Sequence, residues 1–361
     1  MFDLTPTPAQ TEALAAVRGL REEIRESARG SNESGQILDE LRRRIAAAGQ
    51  ATPEAIADGS SVLVDPVGLV LIAEEIAIAD AGTAFAVIGS VLADIVAAGN
   101  GPLDDAAPMS LAFYEGFGRG PSELRTTVAA DGDTLRLTGR KESVVYGASA
   151  KTFLVVAREG DGLGLFRVAA SAGGVSVERD DLEVGALALG AARTALVRFD
   201  GAEAERVSAA GDPLVLQRAL AAARLLLPAI SVGVGQAAVD SAAEWVSGRS
   251  VRGAGLAVNQ GVTFPLVDAD IAVSRARLLV WDIASQLATI TDGATVERKT
   301  GRAVAIGCEA GSAAARVACN TMGWRGLSQR YAAEMRYRDT SLLTAIDFDP
   351  LQHTNPVLQA V

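Results

Sequence analysis

Side chains that can coordinate a metal or attack a substrate are few in this sequence. Among its 361 residues there is one histidine, His353, so a His-based metal site or a Ser-His-Asp triad has almost nothing to build on. The two cysteines, Cys308 and Cys319, lie eleven residues apart in an Ala-rich stretch, three helical turns that place both on one face. Two lone cysteines in a chain this long fit a reducing compartment and buried packing, with no disulfide framework. Cys-X-X-Cys, Walker and Gly-x-Gly-x-x-Gly patterns are missing. The net charge is −11, from 33 basic and 44 acidic residues, with no long basic run. General electrostatic binding to nucleic acid is therefore not expected, although a local basic patch would still serve an anionic ligand.

The elements that must position these residues divide into three blocks. Residues 8–107 read as helices: Thr11 to Ser27 and Leu38 to Ala48 carry apolar residues at helical spacing, with Ser31 to Gly35 as a loop between them. Asp65-Pro66 reads as an N-cap with Pro at N1, opening a long helix interrupted near Gly82. Glu74 and Glu75 are expected on its solvated edge. The apolar stretch Val67 to Ala98 is broken by four carboxylates, so no bilayer span is expected there. The N-terminus lacks a basic region followed by an apolar one, which points to no signal peptide and a cytoplasmic location.

From Met109 the period changes to two. Short segments are expected at 125–129, 134–137, 143–146, 153–157, 163–168, 175–179 and 195–199, with a hairpin turn at Asp131-Gly132-Asp133. From Leu214 the chain is helical again, with helices expected at 213–247, 262–289, 296–322 and 328–343. The expected fold is therefore α+β: an N-terminal helical domain (1–107), a middle β-barrel or sandwich (108–212) and a C-terminal antiparallel four-helix bundle (213–361).

This order, and local passages within it, resemble the acyl-CoA dehydrogenase family over nearly the whole chain. Thr126 to Lys141 is similar to the family's strand-turn-strand passage, and Leu187 to Val207 to the segment leading into the bundle. Trp245 to Ile271 resembles its Arg-x-x-Phe-Gly … Gln … Leu-Ala-Asp run. The stretch from Thr321 to Leu343 resembles a Gly-Gly-x-Gly turn followed by Arg-Asp. The resemblance implies FAD bound at a subunit interface, and removal of two hydrogens from an acyl-CoA by a carboxylate base and the flavin.

The family's flavin-ring positions are changed here. Phe113 stands for a Thr and Arg119 for a Ser, while Ser143 and Val145 stand for a stacking Trp and a hydrogen-bonding Thr. The family's pyrophosphate-side positions, which reach a neighbouring subunit's flavin, are matched by Arg249, Gln260, Gly323 and Gly326. Within that turn Trp324 and Arg325 depart from the pattern, and Asn320 replaces a Gln. The base position falls on Asp347, and the alternative base position on Ala223, beside Arg224. Glu115 reads as loop architecture, and Tyr331, Tyr337 and Trp324 as packing at the bundle end.

The implied function is a subunit of an FAD-dependent acyl-CoA dehydrogenase. In this reading it completes a homologous partner's FAD site in an α2β2 assembly of the kind that acts on sterol side chains. The alternatives are a self-sufficient homotetrameric dehydrogenase using Asp347, a flavin monooxygenase on the same fold, and a non-enzymatic scaffold. Neither a membrane nor nucleic acid is an expected partner.

Overall fold

The computed structural model describes residues 5–35, 37, 39–98, 109–116, 123–179, 187–207 and 213–347. Seven helices come first: α1 (Pro8–Arg18), α2 (Arg21–Ser34), α3 (Asp39–Ala48), α4 (Pro53–Ala57), α5 (Pro66–Ala79), α6 (Ala81–Gly89) and α7 (Leu92–Ala98). The single helix expected over 11–27 is two, because the turn at Gly19 and Leu20 closes back on the carbonyls of Ala15 and Val17. The loop expected at 31–35 is instead the end of α2. Gly35 caps it in the left-handed region (φ 66°), and Asn32 donates to Ala28 O and to the Asp80 carboxylate.

Helix α5 starts as the sequence indicates, with Asp65 accepting from Val67 N and Pro66 at the first position. It ends at Asp80, whose carboxylate accepts from Thr83 N and so caps α6. Glu74 and Glu75 are not on a solvated edge. Apolar residues run right round α5, so both carboxylates are buried and each is matched by cations. Glu75 meets Arg18 at 3.1 Å and also Arg21. Glu74 meets Arg277 at 2.6 Å and accepts from Trp281 Nε1 at 3.1 Å. Burial still raises the Glu74 pKa against the pull of Arg277.

The middle strands are β1 (Met109–Ala112), β2 (Thr127–Asp131), β3 (Thr134–Val144), β4 (Thr152–Glu159), β5 (Gly162–Ala169), β6 (Val175–Arg179) and β7 (Ala195–Arg206). The order β4-β2-β3-β7-β5 closes on itself through β4–β5 pairing, with β1 on β4 and β6 on β7. Closure leaves an interior filled by Leu137, Phe153, Phe166, Val197 and Phe199. The segments expected separately at 134–137 and 143–146 are largely one strand. Irregularities in its pairing with β7 split the pattern, and Ser143 lies at one of them with φ 51°.

Helices α8 (Pro213–Ser247), α9 (Gln260–Gln286), α10 (Gly293–Met322) and α11 (Ala333–Leu343) form the bundle, with a two-residue hairpin, β8 (Ser250–Val251) and β9 (Ala254–Gly255), between α8 and α9. By length and composition alone α8 could cross a membrane, but 94% of its most apolar window is buried within the protein. Cys308 and Cys319 are buried free thiols, and burial pushes both pKa values up, Cys319 to about 11. Helices α8 and α10 touch backbone to backbone at Gly311, where a Cβ would stand 2.1 Å from Ser231 O. Gly311→Ala should therefore cost about 1–3 kcal/mol, read as a lower urea midpoint at unchanged m-value.

Candidate functional site

A cavity of about 770 Å³ lies between the β-domain and α11, bordered by Phe85, Glu142, Ser143, Leu189, Tyr337 and Ile346. One wall is the 187–194 segment, which is held in an unfavourable backbone shape. Leu189 and Arg193 have φ of 51° and 46°, in the left-handed region that side chains with a Cβ rarely adopt. Asp339 accepts from Leu189 N at 2.9 Å, and Asn32 Oδ1 accepts from Ala191 N at 3.3 Å. Burial, reinforced by the charge of Asp80, pushes the Asp339 carboxyl up to about 8.

The opposite wall carries the residues at the expected flavin-ring positions. Of those positions Ser143 borders this cavity, while the buried Val145 and half-buried Phe113 border a smaller one behind it and offer methyls and a phenyl ring where a flavin needs donors. Arg119 lies outside the described residues. Glu142, ion-paired to Arg140, adds a carboxylate to the rim. Behind it, toward Ala223 and Arg224, Phe113, Val145, Leu226 and Ile346 leave about 40 Å³, room for about three water molecules. That smaller cavity has no room for a flavin ring. Glu115 is architectural: it accepts from Arg125 N, Thr126 N and the fully buried Lys141 at 2.6, 3.0 and 2.7 Å. Burial pulls Lys141 down to about 8 against the pull of Glu115.

Asp347 is buried at the end of α11, with both carboxylate oxygens engaged. Arg224 Nε donates to one at 3.0 Å and Nη2 to the other at 2.8 Å. The remaining arm of Arg224 reaches Glu297 at 2.7 Å. Burial alone would lower the Arg224 pKa, but the two carboxylates raise it, so the guanidinium stays charged. Tyr114 Oη donates to the carbonyls of Ala345 and Asp347 at 3.2 and 3.4 Å, fastening the same turn to the β-domain. A carboxylate gripped by a fork-shaped donor is held in one orientation and stabilised in its charged form. Sequence reasoning placed Asp347 but missed its partner, although an Arg inside the run Ala221 to Ile230 signals a buried counter-charge.

The four expected pyrophosphate-side residues sit elsewhere, at and near the far end of the bundle. Arg249 lies 4.1 Å over the Trp245 ring, and Arg325 lies 5.8 Å from the same ring and 4.7 Å from Trp324. Tyr331 meets Trp245 edge-on at 5.4 Å. A cavity of about 550 Å³ beside them is bordered by Arg249, Arg330 and Arg336. Gln260 is exposed at the start of α9 and does not border that cavity. The two glycines have local causes. Gly323 adopts φ 64°, and a Cβ on Gly326 would stand 2.3 Å from Cys319 O. Trp324 does not pack the bundle end as expected, being 71% exposed, whereas Tyr331 and Tyr337 pack there. Stacked guanidiniums next to an open, basic hollow fit a phosphate-bearing ligand.

Helices, a closed β-domain and a four-helix bundle in this arrangement constitute the acyl-CoA dehydrogenase fold. The butyryl-CoA dehydrogenase of Megasphaera elsdenii superposes with a TM-score of 0.82 at 18% identity, covering 99% of this chain and 100% of that one. Glutaryl-CoA dehydrogenase of Mycobacterium smegmatis gives 0.82 at 18% (99% and 95% covered). The steroid ACAD Tcur3481-Tcur3483 gives 0.77 at 24% (93% and 92% covered). Residues 213–347 match the family model for the acyl-CoA dehydrogenase C-terminal domain. The mitochondrial short-chain specific acyl-CoA dehydrogenase of Bos taurus is 28% identical over 236 residues, 63% of this chain. The match spans 56% of that relative's length. The chain therefore shares the acyl-CoA dehydrogenase fold, and its C-terminal bundle is similar to that family's C-terminal domain.

Two outcomes test the buried charges. Arg224→Met should cost about 3–5 kcal/mol by chemical denaturation, because Asp347 is left buried without its counter-charge, and Arg224→Met/Asp347→Leu should recover much of that loss. Asp339 binds its proton more tightly folded than unfolded. Its contribution to stability is therefore full below its ordinary value of 3.8 and is lost as pH rises to about 8. Asp339→Asn keeps the acceptor for Leu189 N and should flatten the fall in Tm between pH 5 and pH 8 by a few degrees.

Proposed function

We propose that this chain is a subunit of an FAD-dependent acyl-CoA dehydrogenase that completes a homologous partner's cofactor site, rather than holding a flavin in its own cleft. One asymmetry carries the reading. The expected ring positions Phe113 and Val145 carry no donors and the Asp347 carboxylate is clamped by Arg224, while the bundle end keeps Arg249 stacked on Trp245 and Gln260 is exposed at the start of α9. On this reading Arg249, Gln260 and the 323–326 turn face the pyrophosphate of a flavin bound mainly by the partner. The cofactor, when bound there, supplies hydride acceptance, and the proton-accepting carboxylate comes from the partner. The likeness to a steroid ACAD whose name pairs Tcur3481 with Tcur3483 supports a two-chain enzyme acting on a sterol-derived or other acyl-CoA.

Co-expression with a motif-complete homologue, followed by an absorbance scan, tests the proposal. The expected product is a yellow complex with fewer flavins than subunits, colourless when this chain is purified alone. Arg249→Ala should lower the complex's FAD affinity about tenfold or more, since a charged donor to a phosphate is lost. A yellow homotetramer of this chain alone, with one FAD per subunit and acyl-CoA oxidation, would overturn it.

A further inference from the structure

The 187–194 wall of the large cavity is fastened from behind by two buried carboxylates. Asp339 of α11, 1% exposed, accepts from Leu189 N. Asp80, the cap of α6 and 3% exposed, accepts from Asn32, whose amide oxygen in turn accepts from Ala191 N. The two are not equally served. Asp80 has Thr83 N at 2.7 Å and Asn32 Nδ2 within 3.2 Å of both its oxygens. Asp339, among the described residues, meets the Leu189 N–H alone. The cations around them are committed elsewhere. Arg29 and Arg338 both pair with Glu334, and Arg29 also with Glu33. Arg336 donates to Ala237 O and Ser241 Oγ, and Arg193 of the wall itself lies toward Tyr146. A dry carboxyl with one neutral donor and a second carboxylate beside it keeps its proton, and burial and the Asp80 charge accordingly push Asp339 up to about 8.

We infer that this wall is a latch governed by one proton: neutral Asp339 holds residues 187–194 closed, and loss of its proton releases them and opens the large cavity. The ionised carboxylate needs water, and the layout offers one way to bring it. A cavity of about 40 Å³ already reaches Asp339, bordered by Arg29, Gly190 and Met335. The wall divides it from the cavity of about 770 Å³, since Leu187, Ala188 and Arg338 border both. Moving the wall joins the two and hydrates the charge. The movement has one free direction, because a Cβ on Gly190 would stand 2.1 Å from Asn32 O and no space remains toward α2. Release also frees Leu189 and Arg193 from their left-handed backbone, which lowers the cost of opening. Asp339 binds its proton more tightly behind the closed wall than in water. Closure is therefore strongest below the ordinary value of 3.8, weakens as pH rises to about 8, and weakens no further above it. The inference does not depend on where flavin binds.

Hydrogen exchange of the full chain, read by mass spectrometry at single-residue resolution between about pH 6 and pH 8, tests it. After correction for the intrinsic pH dependence of exchange, protection of the Leu189 and Ala191 amides should fall by up to about tenfold per pH unit, the slope of one proton lost on opening. The buried run from Ala229 to Val234 in α8 should keep its protection, which separates local release from general unfolding. Asp339→Asn keeps the acceptor for Leu189 N and has no proton to lose, so its wall protection should change by less than about threefold over the same range. Asp80→Asn keeps a capping side chain for α6, and without the neighbouring charge the fall should level off at a lower pH than in the parent chain. Circular dichroism melts establish that each variant folds. Level wall protection in the parent chain, a fall retained in Asp339→Asn, a fall extended to higher pH in Asp80→Asn, or an equal fall in α8 would each overturn the inference. None of these outcomes changes the flavin content expected of the complex described above.

Discussion

The grip of Arg224 on Asp347 and Glu297 is the constraint on which the cleft side of the molecule depends. A guanidinium buried to 1% exposure in α8 has to be compensated, and the compensation comes from two different segments, α10 and the turn after α11. Closing that turn brings Ile346 into the space between the β-domain and α8, and lets Tyr114 donate to the turn's carbonyls. Packing, cleft volume and the orientation of the Asp347 carboxylate are thereby set by one charge. An ion pair of this kind favours a single arrangement of its three segments, since any other leaves a bare charge in an apolar interior.

A second constraint comes from the N-terminal helices. Buried carboxylates on or capping them are tied to other segments: Glu74 to Arg277 of α9, and Asp80 to Asn32 of α2. Glu334 on α11 is reached in turn by Arg29 of α2 at 2.7 Å. These contacts run between elements far apart in sequence, so the helical region before the β-domain and the bundle after it share one polar framework beneath a common apolar core.

Much of the fold was legible in the sequence. The period changes at Met109 and Pro213 are strong because the strands of a closed barrel alternate and the bundle helices are long and apolar. The cap at Asp65 and the hairpin at Gly132 follow from local chemistry alone. Boundaries failed where a distant partner decided them. The segment 31–34 stays helical because Asn32 finds Asp80, and Glu74 and Glu75 are buried because arginines from elsewhere meet them. The candidate site divided in the same way. The replaced ring positions could be read as residue types, whereas the clamp on Asp347 required knowing that a residue 123 positions away is folded against it.

Asn32 joins three parts of the molecule through one amide. Its nitrogen donates to Ala28 O and to the cap of α6, and its oxygen accepts from Ala191 in the strained wall of the cleft. A side chain that bonds at both ends transmits displacement without slack. Widening the cleft by moving the 187–194 wall therefore pulls on the first turn of α6, which carries Phe85 on the cleft's other side. The two walls are geared together, and the cleft should change width as a unit or stay as it is.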